Sequence, residues 1–412
     1  MFKTYDDAHA RVSWARIYAV YAISNARRPT ATDDRPTDRP RSLPRANDWD
    51  CSTRADARAR AMGRRMKLLG IEGGGTTWIA RAIEIDVEGG ASVSSASSAR
   101  GEEHFNKRDG GREQRFETTT PEETLRTIRE WIEINAWDAD AIGVATFGPL
   151  ELNPDKDKYG YITTTPKAGW QDVDVLGSPF GEKDATEEEE RAWRGRARLH
   201  TIDQVPLAFE TDVNAPAMLE HRALKHELKH VHLVGGESCC YVTVGTGVGV
   251  GVVCNGLPVH GMLHPEAGHM FVKMRAGETF AGTCPFHGNC VEGMVGSGAL
   301  AKRRGVSAAE LASLPDDDDI WEHAAHYLAG MCVNLILTLA PERIVLGGGV
   351  MQRECLFSKI RANVRDILQG YLAVDQIMDD AYLRHFIVPP AWGYQTGLTS
   401  ALYLAERALQ RE

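Results

Sequence analysis

The sequence predicts a two-lobed α/β protein, and two observations carry the prediction. Residues 68 to 85 and residues 241 to 254 share one design: an apolar strand, a turn rich in Gly and Thr, then a second apolar strand. Alternating strand and helix patterns surround both, so two related halves are expected.

Taken in order, Leu68 to Ile71 reads as a buried strand that ends in Glu72-Gly73-Gly74-Gly75-Thr76-Thr77, with Trp78 to Ile85 returning as its hairpin partner. Thr120-Pro121-Glu122-Glu123 supplies an N-cap, a proline at the first helical position and a capping-box glutamate for a helix to about Asn135. Ala141 to Thr146 is the next buried strand, Phe209 to Asp212 ends another, and Asn214 to Lys229 reads as helix. Helices at about 320 to 339 and 356 to 371, with a strand Arg343 to Leu346 between them, complete the second half. The expected boundaries are a first lobe over 66–236 and a second over 237–412, with the last helix able to pack back on the first lobe.

Composition narrows the function. Across 412 residues, 43% are hydrophobic and 25% charged, an ordinary globular balance with room for two domains. The net charge of −10 opposes a nucleic-acid surface and suits a small neutral or metal-bound substrate. The most apolar segment, Cys332 to Ala340, is broken by Asn334 and Thr338 and is far shorter than a membrane span. Eight irregularly spaced cysteines imply no disulfide framework, which makes a reducing compartment the default.

Residues 1–65 are different. They carry 14 Lys plus Arg and 8 Asp with no Glu, for a net of +6. The Arg, Pro, Asp and Thr of residues 27 to 45 offer too little apolar surface to offset ordering entropy, so the segment reads as a disordered extension. Its Arg content suits an organelle transit peptide and its aspartates oppose one; an untargeted extension ahead of a start at Met66 is the other reading. The cytoplasm is the expected compartment.

Three Gly-rich turns call for a chemical reading: Glu72 to Thr77, Gly245-Thr246-Gly247-Val248-Gly249 and Gly347-Gly348-Gly349. Each leaves backbone N–H groups unobstructed at a strand end, where they can cradle phosphate oxygens or approach a purine. Any one alone reads better as a plain hairpin turn. Together they match the arrangement of the two-lobed actin-like ATPase (ribonuclease H-like) α/β fold.

Asp212 lies at a strand-to-helix junction between the lobes, where it fits either a helix N-cap or a base that accepts a hydroxyl proton during phosphoryl transfer. The most specific local signal is Cys284-Pro285-Phe286-His287-Gly288-Asn289-Cys290, preceded by His264-Pro265-Glu266-Ala267-Gly268-His269. Cys284, His287 and Cys290, with His269 as fourth ligand, close a tetrahedral zinc site that leaves no open position for metal-bound water. Such a site is structural, and it would hold Glu266, His269 and Glu292 for hydrogen bonds to substrate hydroxyls. Cys51, Cys239, Cys240, Cys254, Cys332 and Cys355 lack ligand spacing and read as core or incidental.

These residues resemble the ROK family of sugar kinases and repressors, and within it the zinc-containing bacterial-type fructokinases. The resemblance runs from Met66 to about residue 410 through IEGGGT, FGPLELN, YGYITTTPKAGW, ETDVNA, VTVGTGVGVG, HPEAGH, CPFHGNCVEG, LAPERIVLGGGVM and IVPPAWGYQTG. Many ROK glucokinases carry a CxCGxxGCxE loop, so CPFHGNCVE points to the fructokinase branch. By resemblance, Asp212 is the general base and Glu266, His269 and Glu292 hold the sugar. Gly74, Thr76, Thr246 and Gly247 contact phosphates, Gly348 and Gly349 lie by the adenosine, and His269, Cys284, His287 and Cys290 bind zinc.

The resemblance implies an ATP-dependent, Mg²⁺-requiring kinase that converts D-fructose to D-fructose 6-phosphate, usually as a homodimer, with mannose and glucose as rival substrates. A ROK repressor is disfavoured because residues 1–65 lack the paired amphipathic helices of a winged helix-turn-helix. A non-catalytic sugar-binding regulator is disfavoured because Asp212 is present. Two departures stand out. Where many ROK kinases have Asp-x-Gly-Gly-Thr-Lys, this chain has Glu72 for the Asp and Thr77 for the Lys, which predicts weaker nucleotide binding. Residues 181 to 198, four glutamates and then several arginines, look like an inserted solvated helix with i,i+4 pairs.

Overall fold

The computed structural model describes residues 65–86, 111–177, 205–230 and 235–410. Apart from Arg65, the expected extension lies outside the described residues, as do Cys51 and the 181–198 stretch.

The first sheet is built from β1 (Arg65–Gly73), β2 (Thr77–Asp86), β3 (Arg112–Glu117), β4 (Ala141–Thr146) and β7 (Leu207–Thr211), in the order β3-β2-β1-β4-β7. β1 and β2 form the expected antiparallel hairpin, in register from Arg65 opposite Asp86 to Gly73 opposite Trp78. β1, β4 and β7 run parallel. All six residues of β4 are buried, the mark of a central strand covered on both faces. Between β3 and β4 runs α1 (Pro121–Asn135), capped by the Thr120 hydroxyl, which accepts the Glu123 N–H at 3.3 Å. The reciprocal half of the expected capping box differs: the Glu123 carboxylate accepts from the Thr119 hydroxyl at 2.8 Å, one residue upstream. A two-stranded ribbon, β5 (Tyr161–Ile162) with β6 (Val173–Asp174), lies beyond β4.

After β7 comes α2 (Asn214–His230), and then a second sheet that repeats the first. Its strands are β8 (Cys239–Val244), β9 (Val248–Cys254), β10 (Leu257–Pro258), β11 (Arg343–Gly347) and β12 (Ile387–Val388), in the order β10-β9-β8-β11-β12. The hairpin again occupies the same place, with β8, β11 and β12 parallel beside it. Between β10 and β11 lie α3 (Val291–Val295), α4 (Ser297–Arg304) and α5 (Ile320–Leu339). Twelve of the twenty residues of α5 are buried, from Ile320 to Ile336, and they seat the helix on the second sheet. α6 (Cys355–Leu368) follows β11, and α7 (Thr396–Leu409) follows β12.

α7 belongs in sequence to the second half but packs on the first sheet. Its Leu402 and Ala405 sit with Leu68, Ile83 and Ala141 in one buried cluster. The approach is close enough that a Cβ on Gly143 of β4 would lie 1.9 Å from the Ala401 carbonyl oxygen, so only glycine fits there. α2 and α7 together fill the space between the sheets. Ala215, Ala217 and Met218 of α2 and Ala401, Leu404 and Ala408 of α7 share a core with Ala145 and Ala208 of the first sheet and Tyr241 and Val345 of the second. Small side chains at this joint let helices and sheets approach closely, which sets where the strand ends of the two lobes meet.

Candidate active site and metal centre

The parallel strands β1, β4 and β7 end together, and open α/β sheets bind ligands beyond such carboxyl ends. Register makes the junction: Gly73 is opposite Thr146, and Thr146 opposite Thr211. The Asp212 N–H donates to the Thr146 carbonyl at 2.9 Å, which carries Asp212 just past the end of the sheet. The hydroxyl of Thr211 accepts the Asn214 N–H at 2.9 Å, so the capping duty weighed for Asp212 falls to its neighbour.

Sequence reasoning missed how that loop is braced. Buried Glu210 accepts from the Thr211 N–H at 2.9 Å and from the Asn214 side-chain amide at 3.3 Å, while its other oxygen meets His260 Nε2 at 2.7 Å. Asn214 in turn accepts the Val252 N–H at 3.1 Å, tying the start of α2 to β9. The signal was present in ETDVNA, whose Glu and Asn flank the aspartate at even spacing.

Three carboxylates at this end have pKa values pushed up to about 7. Burial does this for Glu72, against some relief from Arg115. For Asp212, burial acts first and the charge of Glu72 second. For Glu266, burial again leads, followed by the charges of Asp212 and Glu292. The structure therefore brings Glu72, Asp212, Glu266 and Glu292 into one run of mutually repelling acids, a pattern that marks functional sites.

Glu266 has a neighbour, His264, that the sequence reading left unassigned, whose Nδ1 lies close to the carboxylate without a hydrogen bond to it. His264 is buried; its Nε2 accepts the Leu150 N–H at 3.0 Å, which leaves the proton on Nδ1, 3.4 Å from the Glu266 carboxylate. Burial pushes the His264 pKa down and keeps the ring neutral. The histidine thus joins the loop after β4 to HPEAGH.

The second Gly-rich turn, Gly245 to Gly247, closes with a Gly245 N–H to Gly247 carbonyl bond of 2.9 Å, and Thr246 is exposed at its tip. Its base is gripped by Ser297 N–H donating to the Gly245 carbonyl at 2.8 Å and by Glu292, whose carboxylate accepts the Val248 N–H at 3.0 Å. Gly348 has φ +88°, and a Cβ there would lie 2.5 Å from the Val244 carbonyl oxygen, so the third turn packs directly against the residue before the second. In the first lobe, the Gly74 N–H bonds the Thr77 carbonyl at 2.9 Å, with Gly75 and Thr76 exposed.

The four expected metal ligands converge. The ligand atoms of His269, Cys284, His287 and Cys290 all lie within 4.8 Å of one another. Cys284 Sγ is 3.7 Å from His269 Nδ1 and 3.6 Å from His287 Nδ1, and Cys290 Sγ is 3.5 Å from His269 Nδ1. Tetrahedral zinc with these donors spaces them about 3.3–3.8 Å apart, so the donor set fits zinc in number and type, and these three separations fall in that range. The segment below the loop is anchored by Glu278, which accepts from Arg303 of α4 at 2.5 Å, from Tyr327 of α5 at 2.8 Å and from the Phe280 N–H at 2.8 Å. Although burial opposes it, these donors hold the Glu278 carboxyl at about 2.

A model of the ROK family matches residues 196–408. A fructokinase of Pediococcus pentosaceus is 36% identical over 71% of this chain and 88% of that protein. The chain belongs to the ROK family. A fructokinase of Zymomonas mobilis is 35% identical over 71% of this ROK chain and 87% of its own length. Among solved structures, a ROK glucokinase from Streptomyces griseus, crystallised with glucose and AMPPNP, aligns over 84% of this chain and 100% of that one, with TM-score 0.52 and 19% identity. A ROK transcriptional regulator aligns with the same score at 15% identity, over 85% of this chain and 79% of that one. The two-lobed actin-like ROK fold is therefore shared by kinases and regulators, and fold alone does not choose between them. Among the described residues no helix is long and apolar enough to cross a membrane.

Proposed function

We propose that this protein is a fructokinase that transfers the γ-phosphoryl group of ATP to the 6-hydroxyl of D-fructose. The observation that carries the reading is the place of Asp212. Its carboxylate is coupled to Glu72 at the first Gly-rich turn on one side and to Glu266 of the HPEAGH loop on the other, which is where a phosphate subsite and a sugar subsite would meet. The ROK relatives that cover most of this chain at 35–36% identity carry the name fructokinase.

Asp212 takes the proton from the sugar hydroxyl as its oxygen forms the new bond to the γ-phosphorus and the bond to the ADP oxygen breaks. Its pKa of about 7 keeps it basic enough to accept that proton near neutral pH. Glu266, Glu292 and the Nε2 face of His269 orient the other sugar hydroxyls, while the backbone N–H groups of Gly74, Thr76, Thr246 and Gly247 grip phosphate oxygens. Gly348 and Gly349 leave room for the adenosine. Glu72 and Asp212 are the carboxylates that could orient the hydrated Mg²⁺ of the nucleotide, whose charge would offset the γ-phosphate and the acids around it. The Cys2His2 cluster would hold one structural zinc, which fixes the loop carrying Glu266, His269 and Glu292 without entering the chemistry.

The deciding experiment is a coupled ADP-release assay across fructose, mannose, glucose and N-acetylmannosamine. Fructose is expected to have the highest kcat/KM. A preference for another sugar would reassign the substrate within the kinase class, and no turnover with any of them would overturn the kinase reading.

A further inference from the structure

The first phosphate turn ends in Thr77, an uncharged residue, and the acids beneath it repel an incoming polyphosphate. A positive charge is nevertheless built against this turn from another part of the chain. The ammonium of Lys167 donates to the Gly75 carbonyl at 2.6 Å. No carboxylate pairs with it among the described residues, whereas Lys67, Lys158, Lys225 and Lys359 each meet one. A backbone carbonyl uses one of its three N–H donors, and the side chain is half-buried beside a turn whose Gly75 is exposed with open space around it.

The mount is rigid. Three residues on, Trp170 is fully buried and stacked on Trp78, the residue after the turn, with ring centroids 5.6 Å apart and planes at 21°. Phe147 packs edge-on against both rings. The Trp170 indole N–H donates to the Thr119 carbonyl at 3.0 Å, and Thr118 donates its hydroxyl to the Gly74 carbonyl at 3.0 Å. Lys167 and the turn are thus fixed to one aromatic cluster. A cation held this way against a Gly-rich turn, with no acid among the described residues to neutralise it, is suited to an anion brought by a ligand.

We propose that Lys167 is a phosphate-binding residue, supplying to the polyphosphate of the nucleotide the positive charge that Thr77 does not. This deepens the ATP-dependent reading and rests on it. The inference offsets the weaker nucleotide binding that Thr77 alone predicts.

The test is calorimetric titration of the full chain with ADP and Mg²⁺ in the absence of sugar, so that its outcome does not depend on which sugar is phosphorylated. Lys167→Met should weaken ADP binding by about tenfold or more, the scale of a lost charge-assisted hydrogen bond. Lys167→Arg should keep most of it. The variant should also show a shallower loss of affinity with added KCl than the unaltered protein, and Thr77→Lys placed in the Lys167→Met background should recover binding, because residue 77 closes the same turn. Unchanged affinity in Lys167→Met would overturn the proposal. So would a loss with the salt dependence intact, since that is the signature of a residue that only braces the Gly75 carbonyl. Failure of the unaltered protein to bind ADP would instead overturn the kinase reading itself, and Lys167 with it.

Discussion

Nε2 of His269 lies 4.0 Å from the carboxylate of Glu292, while Nδ1 of the same ring faces the thiols of Cys284 and Cys290. A metal on Nδ1 would fix the proton on Nε2 and make the imidazole a donor directed at Glu292 and at any hydroxyl placed between them. Glu292 in turn holds Val248 at the second phosphate turn. One histidine therefore connects the Cys2His2 cluster, through Glu292, to the second Gly-rich turn.

Metal content and sugar binding should fall together. The purified protein is expected to hold about one zinc per chain, and Cys290→Ser should lose the zinc and weaken fructose binding at least tenfold, because the loop depends on the metal for order. Metal analysis alongside a sugar titration checks this, and a zinc-free protein with full activity would remove the metal from the account.

Asp212→Asn keeps the size of the side chain but cannot take up the hydroxyl proton. We expect kcat to fall by about 10² or more, with fructose affinity changed little. Steady-state kinetics and a separate binding titration make the comparison; wild-type turnover would exclude Asp212 as the base.

The same residue should cost stability in a pH-dependent way. Its folded pKa of about 7 lies above the ordinary 3.8, so the folded state holds the proton more tightly than the unfolded one across that interval. The contribution is neutral well below pH 4, grows more destabilising as pH rises from about 4 to 7, and levels off above 7. Asp212→Asn should therefore stabilise the ligand-free protein by roughly 1–2 kcal/mol at pH 8, allowing for water around a partly open group, and by roughly a third of that at pH 5. Denaturant unfolding at the two pH values measures the difference, and an equal effect at both would contradict the raised pKa.

Arg303→Met strands the Glu278 carboxylate, whose side chain is 3% exposed, with its main counter-charge gone. A loss of about 3–5 kcal/mol in unfolding free energy is expected, the usual consequence of leaving one partner of a buried pair. Replacing both residues, with Gln at 278, should lose less than the single change.

Much of this molecule is legible in local pattern. The paired hairpins, Pro121 at the start of α1 and the Cys-x2-His-x2-Cys spacing are short-range features, and short-range physics produces them. What sequence spacing does not carry is the long-range contact. His264 meets Leu150, Lys167 meets Gly75, and Glu278 meets Arg303 across elements whose order in the chain says nothing of their proximity. The capping box is half formed: the Thr120 hydroxyl accepts the Glu123 N–H as expected, while the Glu123 carboxylate takes the Thr119 hydroxyl in place of the Thr120 backbone N–H. For Asp212, sequence position left cap and base equally open and compatible; the Thr211 hydroxyl takes the cap, which leaves the role of base to be read from the Asp212→Asn kinetics.

The seating of α7 on β1 and β4 also bears on how the chain is made. Leu68 and Ala141 emerge early from the ribosome, yet the helix that covers them, through Leu402 and Ala405, is translated only after the entire second sheet. The first sheet must wait through most of synthesis with one apolar face unprotected. The structure predicts that this face is completed only when α7 arrives. Ribosome-bound fragments that stop before Thr396 should accordingly leave this face open to proteases, and release of the longer chain should close it.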